Sequence, residues 1–264
     1  MKVGISSWAY AWNIKKMEES DSSMDAFALL EKAHEFQVDV LQIADNLPLD
    51  ALSREEQHHL KELASQYGIQ LECGTQGVRP EKLIPFIEMA SFLKAPLVRT
   101  LLHDAQGCPT MEEAEQSIRS VLPHLHQTGI TLAIENHDFF PVRVLKELID
   151  RIDDPYVGIC LDPVNNFAQG EGTGEVLQAL QNDTVNFHCK DYIVKRKPGG
   201  LGFDVEGCIA GQGLLDVPEI FRSFPHSPVS CILELWTPWQ GDLSQTRILE
   251  AEWVKKSVDY LKAI

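Results

Sequence analysis

Thr131-Leu132-Ala133-Ile134-Glu135-Asn136-His137 reads as one β-strand with two unlike faces. Side chains alternate faces along a strand, so Leu132 and Ile134 point one way while Ala133, Glu135 and His137 point the other. Three later runs keep the same phase. Val157-Gly158-Ile159-Cys160-Leu161-Asp162 alternates bulky with small residues and ends in an acid. Val185-Asn186-Phe187-His188-Cys189-Lys190 sets His188 and Lys190 opposite Phe187. Cys231-Ile232-Leu233-Glu234-Leu235-Trp236 sets Glu234 and Trp236 opposite Leu233 and Leu235. The bulky sets are expected to face helices and the polar sets a shared axis.

Outward from these runs, the same β-rich texture recurs at 3–8, 38–44, 69–74 and 97–102, making eight strands with 130–136, 157–162, 184–190 and 231–236. Helix signals fill the intervals. Ser53 with Glu56 opens Arg54–Tyr67 and Gly68 closes it; Thr110 with Glu113 opens Met111–Thr128 and Gly129 closes it. Phe27, Leu30, Ala33 and Phe36 give 24–36 a helical stripe. Strict alternation of strand and helix calls for a parallel sheet. Eight such units in 264 residues fit a (β/α)₈ TIM barrel, typically about 250 residues long. An open doubly wound sheet is the runner-up, but no G-x-G-x-x-G follows an early strand. A single domain over residues 1–264 is expected.

With 39 acidic against 23 basic side chains, the net charge is −16, which repels a phosphate backbone and argues against nucleic acid as a partner. No apolar stretch reaches the roughly 18 residues of a membrane span. No secretory leader is visible at the start. The six cysteines contain no Cys-x-x-Cys pair, and Cys73, Cys160, Cys189 and Cys231 fall in apolar strands. A reduced, cytoplasmic protein is expected.

Four consecutive strands thus deliver Glu135, Asp162, His188 and Glu234 near their C-terminal ends, where barrel active sites sit. Ionised carboxylates inside a barrel are costly unless a cation compensates them. Three carboxylates with one imidazole favour a hard divalent ion, Mn²⁺ or Mg²⁺, with Co²⁺ or Zn²⁺ also compatible. The plainer alternative has these acids solvated or paired with Lys190 and Arg99. Lys190 is expected to reach the pocket as a point charge for an oxyanion or carboxylate, and His137 to bond a substrate hydroxyl or orient Glu135. Arg99 and Glu72 are expected to form an inward ion pair below the site.

At these residues the chain resembles the xylose-isomerase-like barrel superfamily of sugar and sugar-phosphate isomerases and epimerases, with related dehydratases, decarboxylases and endonuclease IV. The marks are Ile134-Glu135-Asn136-His137, Leu161-Asp162-Pro163-Val164-Asn165, His188-Cys189-Lys190-Asp191, Gly211-Gln212-Gly213-Leu214-Leu215-Asp216 and Ile232-Leu233-Glu234-Leu235-Trp236. The resemblance implies a metal held by Glu135, Asp162, His188 and Glu234, with Glu135 and Glu234 doubling as an acid/base pair. Asn165 and Gln212 depart from residues common in relatives. Gln42-Ile43-Ala44-Asp45-Asn46-Leu47-Pro48-Leu49 and Trp236-Thr237-Pro238 look like a subgroup that includes a 3-oxo-isoapionate decarboxylase.

Two activities suit this constellation. The first is isomerisation or epimerisation of a sugar or sugar phosphate, with the ion stabilising an enediolate. The second is decarboxylation of a 3-oxo sugar acid. Glu135, Glu234 and Lys190 are the expected catalytic residues, and Trp8, His137, Asn165, Lys190, Arg196 and Trp236 the expected substrate contacts. A nuclease would need further histidines where Asp45, Asn46, Cys73 and Asn165 stand. Lys195-Arg196-Lys197-Pro198-Gly199-Gly200 is expected to form a loop over the pocket that recruits an anionic substrate. Trp8, Trp12, Trp236 and Trp239 suit either the C–H faces of a sugar or a contact within a homo-oligomer.

Overall fold

The computed structural model describes residues 1–14, 24–224 and 230–264. Its first half runs β1 (Lys2–Ser6), α1 (Ala11–Ile14), α2 (Ala26–Glu35), β2 (Val40–Ile43), α3 (Arg54–Tyr67), β3 (Gln70–Gly74), α4 (Pro80–Leu93) and β4 (Leu97–Thr100). Then follow α5 (Met111–Thr128), β5 (Thr131–Glu135), α6 (Val142–Ile152), β6 (Val157–Leu161), α7 (Thr173–Leu180) and β7 (Thr184–Cys189). The last part holds β8 (Tyr192–Arg196), β9 (Phe203–Gly207), α8 (Val217–Ser223), β10 (Ser230–Leu233) and α9 (Leu243–Ala263). Eight strands close into a parallel barrel in the order β1-β10-β7-β6-β5-β4-β3-β2, and β1 pairs with β2 to complete the ring. Among the described residues no helix is long and apolar enough to cross a membrane.

Local chemistry sets the helix ends as the sequence foretells. Ser53 and Glu56, and likewise Thr110 and Glu113, exchange reciprocal capping hydrogen bonds that satisfy free N–H groups of the first turn. Gly68 and Gly129 end the same helices in the left-handed conformation.

The two strand faces separate two cores. Leu132, Ile134, Phe187 and Leu233 join the large apolar cluster between barrel and helices, while Leu97, Ala133 and Cys160 form a small separate cluster inside the barrel. The interior is tight: a Cβ on Gly4 would lie 2.6 Å from Ile232 Cδ1 and 2.7 Å from the Val40 carbonyl oxygen. All six cysteines are free, and Cys108 alone is exposed.

Two expectations need correction. The interval after β7 is no irregular loop, because β8 and β9 pair antiparallel from Tyr192↔Gly207 to Arg196↔Phe203. Tyr192-Ile193-Val194 and Phe203-Asp204-Val205 have strand character, and the glycine-rich 197–202 turn lets them fold back. Arg99 does not pair with Glu72 either. It lies level with Gly74 on β3 and Ala133 on β5, and its side chain reaches Glu135 and Asp45 instead of descending to Glu72.

Candidate active site

Glu135 ends β5, Asp162 and Lys190 lie one residue past β6 and β7, His188 lies within β7, and Glu234 follows β10. All five side chains are buried. The turn after β6 aims Asp162: its Oδ1 accepts the backbone N–H of Val164 at 3.0 Å and of Asn165 at 3.2 Å, which leaves Oδ2 for the barrel axis. Asn136 fastens the same turn, since Nδ2 donates to the Asp162 carbonyl at 2.6 Å and Oδ1 accepts the Asp162 N–H at 2.8 Å. His188 Nδ1 lies 3.3 Å from Glu135 Oε2 and 3.5 Å from Glu234 Oε1. Lys190 Nζ stands 2.8 Å from Asp162 Oδ2, 3.0 Å from Glu234 Oε2 and 3.2 Å from Asn165 Oδ1.

Three buried atoms in this cluster make no hydrogen bond: Asp162 Oδ2, His188 Nδ1 and Glu234 Oε1. The Lys190 ammonium is close to the first of them, but at an angle that makes an ion pair only. Buried polar atoms without partners are rare, and these three belong to residues whose ligand atoms lie within 4.8 Å of one another. Glu135, Cys160 and His188 form a second such group around the same imidazole. Four carboxylates (Asp45, Glu135, Asp162, Glu234) face two permanent cations, Arg99 and Lys190. With a neutral imidazole, a divalent ion closes that deficit. The donor set therefore fits a divalent cation.

The surrounding charges act on each group in turn. Burial resists ionisation of Glu135, but the Arg99 guanidinium and His188 beside it hold its carboxyl well below the usual range. Burial resists ionisation of Glu234 too, and His188 and Lys190 hold that carboxyl low. Burial works against a charged Lys190, yet Asp162 and Glu234 raise it and keep the ammonium protonated. Burial also opposes a charged His188, while the Glu234 and Glu135 carboxylates beside it draw a proton toward the imidazole. A divalent ion at Nδ1 would take that proton's place and leave the imidazole neutral. Cys160 itself is pushed up to about 12, mainly by burial, so it stands as a thiol.

Above the carboxylates opens a cavity of about 450 Å³ lined by Trp8, Asp45, Arg99, His103, His137, Asn165, Lys190 and Trp236, among others. Asn165 Nδ2 donates to Glu135 Oε1 at 2.8 Å, and Arg99 Nε donates to Glu135 Oε2, so both oxygens of Glu135 are engaged. His137 pairs with Asp138 at the rim rather than with Glu135. Lys190 Nζ lies 5.0 Å from the Trp236 ring centroid. Arg196 belongs elsewhere: it is exposed on β8, 5.5 Å from the Phe203 ring centroid, and does not line this cavity. Gln212 is likewise exposed and outside it; the neighbouring Gly211, Gly213 and Leu215 N–H groups are gathered by Asp191.

Sequence reasoning overlooked Asp45 and Gln42 as members of the site. Asp45 accepts from Arg99 Nη1 at 2.8 Å and Gln76 Nε2 at 2.7 Å, with Trp8 Nε1 at 3.4 Å, and so ties one pocket wall together. Gln42 meets His188 at 2.8 Å. The signal was present, because Gln42 interrupts the apolar Leu41 and Ile43 in the phase that exposed Glu135.

A model of the xylose isomerase-like TIM barrel family matches residues 25–264. The chain belongs to that family. The 3-oxo-isoapionate decarboxylase of Pectobacterium atrosepticum is 35% identical over 263 residues, covering 99% of this chain and 95% of that protein. Among solved structures, D-psicose 3-epimerase with D-tagatose from Clostridium cellulolyticum H10 superposes with a TM-score of 0.73 at 15% identity, covering 100% of this chain and 99% of that one. A xylose isomerase-like TIM barrel protein from Mycobacterium smegmatis in complex with magnesium gives 0.69 at 14% identity, covering 97% of both chains. At these identities the structural likenesses establish the xylose isomerase-like fold alone.

Proposed function

We propose that this member of the family is a divalent-metal-dependent carboxy-lyase acting on a 3-oxo sugar acid, in line with the name of its full-length Pectobacterium relative. The observation that carries this reading is the engagement of both oxygens of Glu135 by Arg99 and Asn165. Epimerisation moves protons at two faces of one carbon and needs two groups able to exchange them. A carboxylate held ionised between a guanidinium and an amide is poorly placed to be the second.

Decarboxylation asks for less. An acid with a ketone β to its carboxylate loses CO₂ by breaking one C–C bond, whose electron pair passes to the ketone as an enolate. One proton delivered to carbon completes the product. A divalent cation held by Asp162, His188 and Glu234, with Glu135 beside them, would supply Lewis acidity toward the ketone oxygen. Lys190 carries a proton at Nζ, faces the cavity, and serves as the donor, with water restoring it. Trp8 and Trp236 wall the cavity.

Isomerisation or epimerisation, ranked first on sequence, is the second reading; it requires Glu135 to exchange Arg99 for substrate. The test supplies Mn²⁺-loaded protein with 3-oxo-isoapionate in D₂O, and separately with D-fructose. Stoichiometric CO₂ with one deuterium in the product, and unchanged fructose, is the expected result. Epimer interconversion without CO₂ would overturn it.

A further inference from the structure

Beneath the candidate cation site runs a polar chain that takes no part in the proposed chemistry. Gln42 on β2, Glu72 on β3, Asn186 on β7 and Ser230 on β10 are wholly buried inside the barrel. Gln42 and Glu72 are direct partners in the β2–β3 register. Gln42 Nε2 donates to Glu72 Oε2 at 3.0 Å and to Asn186 Oδ1 at 3.2 Å, while its Oε1 faces His188 Nε2 at 2.8 Å. Asn186 Nδ2 donates to Glu72 Oε2 at 3.1 Å and to Ser230 Oγ at 2.7 Å, and the Ser230 hydroxyl donates to Glu72 Oε1. The Cys160 thiol completes the set by donating to Asn186 Oδ1 at 3.1 Å.

The directions in this network are forced. Three donors converge on one carboxyl, so Glu72 is its sink. With Asn186 turned by Glu72 and Ser230, Gln42 finds two acceptors on one side, and its amide nitrogen must face them. Its oxygen must then face His188. A reversed amide would set oxygen against oxygen twice in a dry interior. An imidazole that meets a carbonyl oxygen at Nε2 carries hydrogen there.

We propose that Gln42 and Glu72 form a positioning relay, which keeps the His188 proton on Nε2 and presents the Nδ1 lone pair to the space between Asp162 and Glu234. The inference rests on the cation reading of the site, and outer partners of this kind commonly change metal affinity by about 10–100-fold. It does not depend on the charge of Glu72. Burial pushes that carboxyl up, yet a proton on Oε1 would leave Oε2, the atom facing both amides, an acceptor.

Gln42→Met removes the acceptor at similar volume. Calorimetric titration of the metal-free protein with Mn²⁺ should show affinity weakened about 10–100-fold. In ¹⁵N-histidine-labelled protein, the slowly exchanging Nε2–H signal of His188 should be present in the wild type and lost in Gln42→Met. The swapped pair Gln42→Glu/Glu72→Gln places the carboxylate against His188 and should restore both. Mn²⁺ affinity within about threefold of wild type in Gln42→Met, with the Nε2–H signal intact, overturns the relay, because a purely structural glutamine would lower only the melting temperature. If Gln42→Met does not fold, a folded swapped pair without the Nε2–H signal overturns it equally. Wild-type protein that binds no Mn²⁺ overturns the cation reading instead, while the Nε2–H signal still judges the relay.

Discussion

Lys190 stands between two carboxylates and under an indole face, with the charge and the hydrogen that a one-proton reaction calls for. Charge and proton can be told apart. Arginine keeps the charge but replaces the compact, rotatable ammonium with a planar, delocalised guanidinium that cannot set a proton at the same point, whereas methionine removes both. Lys190→Met is expected to lower kcat by about 10²–10⁴-fold, with Lys190→Arg recovering less than about a tenth of the wild-type rate. Mn²⁺ affinity should hold or rise in Lys190→Met, since Asp162 and Glu234 lose a competing cation. Near-complete rescue by arginine in steady-state assays would reduce Lys190 to a counter-charge. That Lys190 and the four expected ligands point inward was readable from strand phase, a local property. The pairing of Arg99 with Glu135 rather than Glu72 was not, because it depends on how far β4 slides against β3 and β5.

At the level of elements, the capping boxes of α3 and α5 were legible because each is closed within a few residues. The β8–β9 ribbon was harder to see. Its strands are short, and a basic run ending in Pro-Gly-Gly reads as a loop unless Phe203-Asp204-Val205 is matched to Tyr192-Ile193-Val194. Pairing has a functional consequence. Lys195 binds Glu206 at 2.7 Å, Lys197 lies 3.2 Å from Asp204, and Arg196 lies against Phe203, so the ribbon spends its charges on itself. Arg196→Ala should therefore leave kcat/KM within about twofold, because Arg196 does not line the cavity and physiological salt weakens the reach of an exposed charge. A tenfold rise in KM would return the ribbon to the pocket.

For the molecule as a whole, the candidate cation links function to stability. Among the described residues, the barrel mouth sets Asp45, Glu135, Asp162 and Glu234 against Arg99 and Lys190, in a chain already at −16. Buried like charges oppose folding, and an ion that binds the folded barrel alone adds about 2.7 kcal/mol at a hundred times its Kd. For a domain of this size each kcal/mol moves Tm by about 2–4 °C, so saturating Mn²⁺ should raise Tm by about 5–10 °C over an EDTA-treated sample. Asp162→Asn separates this effect from general salt stabilisation. Its Oδ1 can still accept the Val164 and Asn165 N–H groups that shape the turn, while an amide replaces the unpartnered Oδ2. The variant should fold and melt cooperatively, and lose most of the Mn²⁺-induced rise. A wild-type melting curve indifferent to millimolar Mn²⁺ and Mg²⁺ would mean that Arg99, Lys190 and a protonated His188 compensate all but one of the four carboxylates by themselves, and metal-assisted chemistry at this site would fall with it.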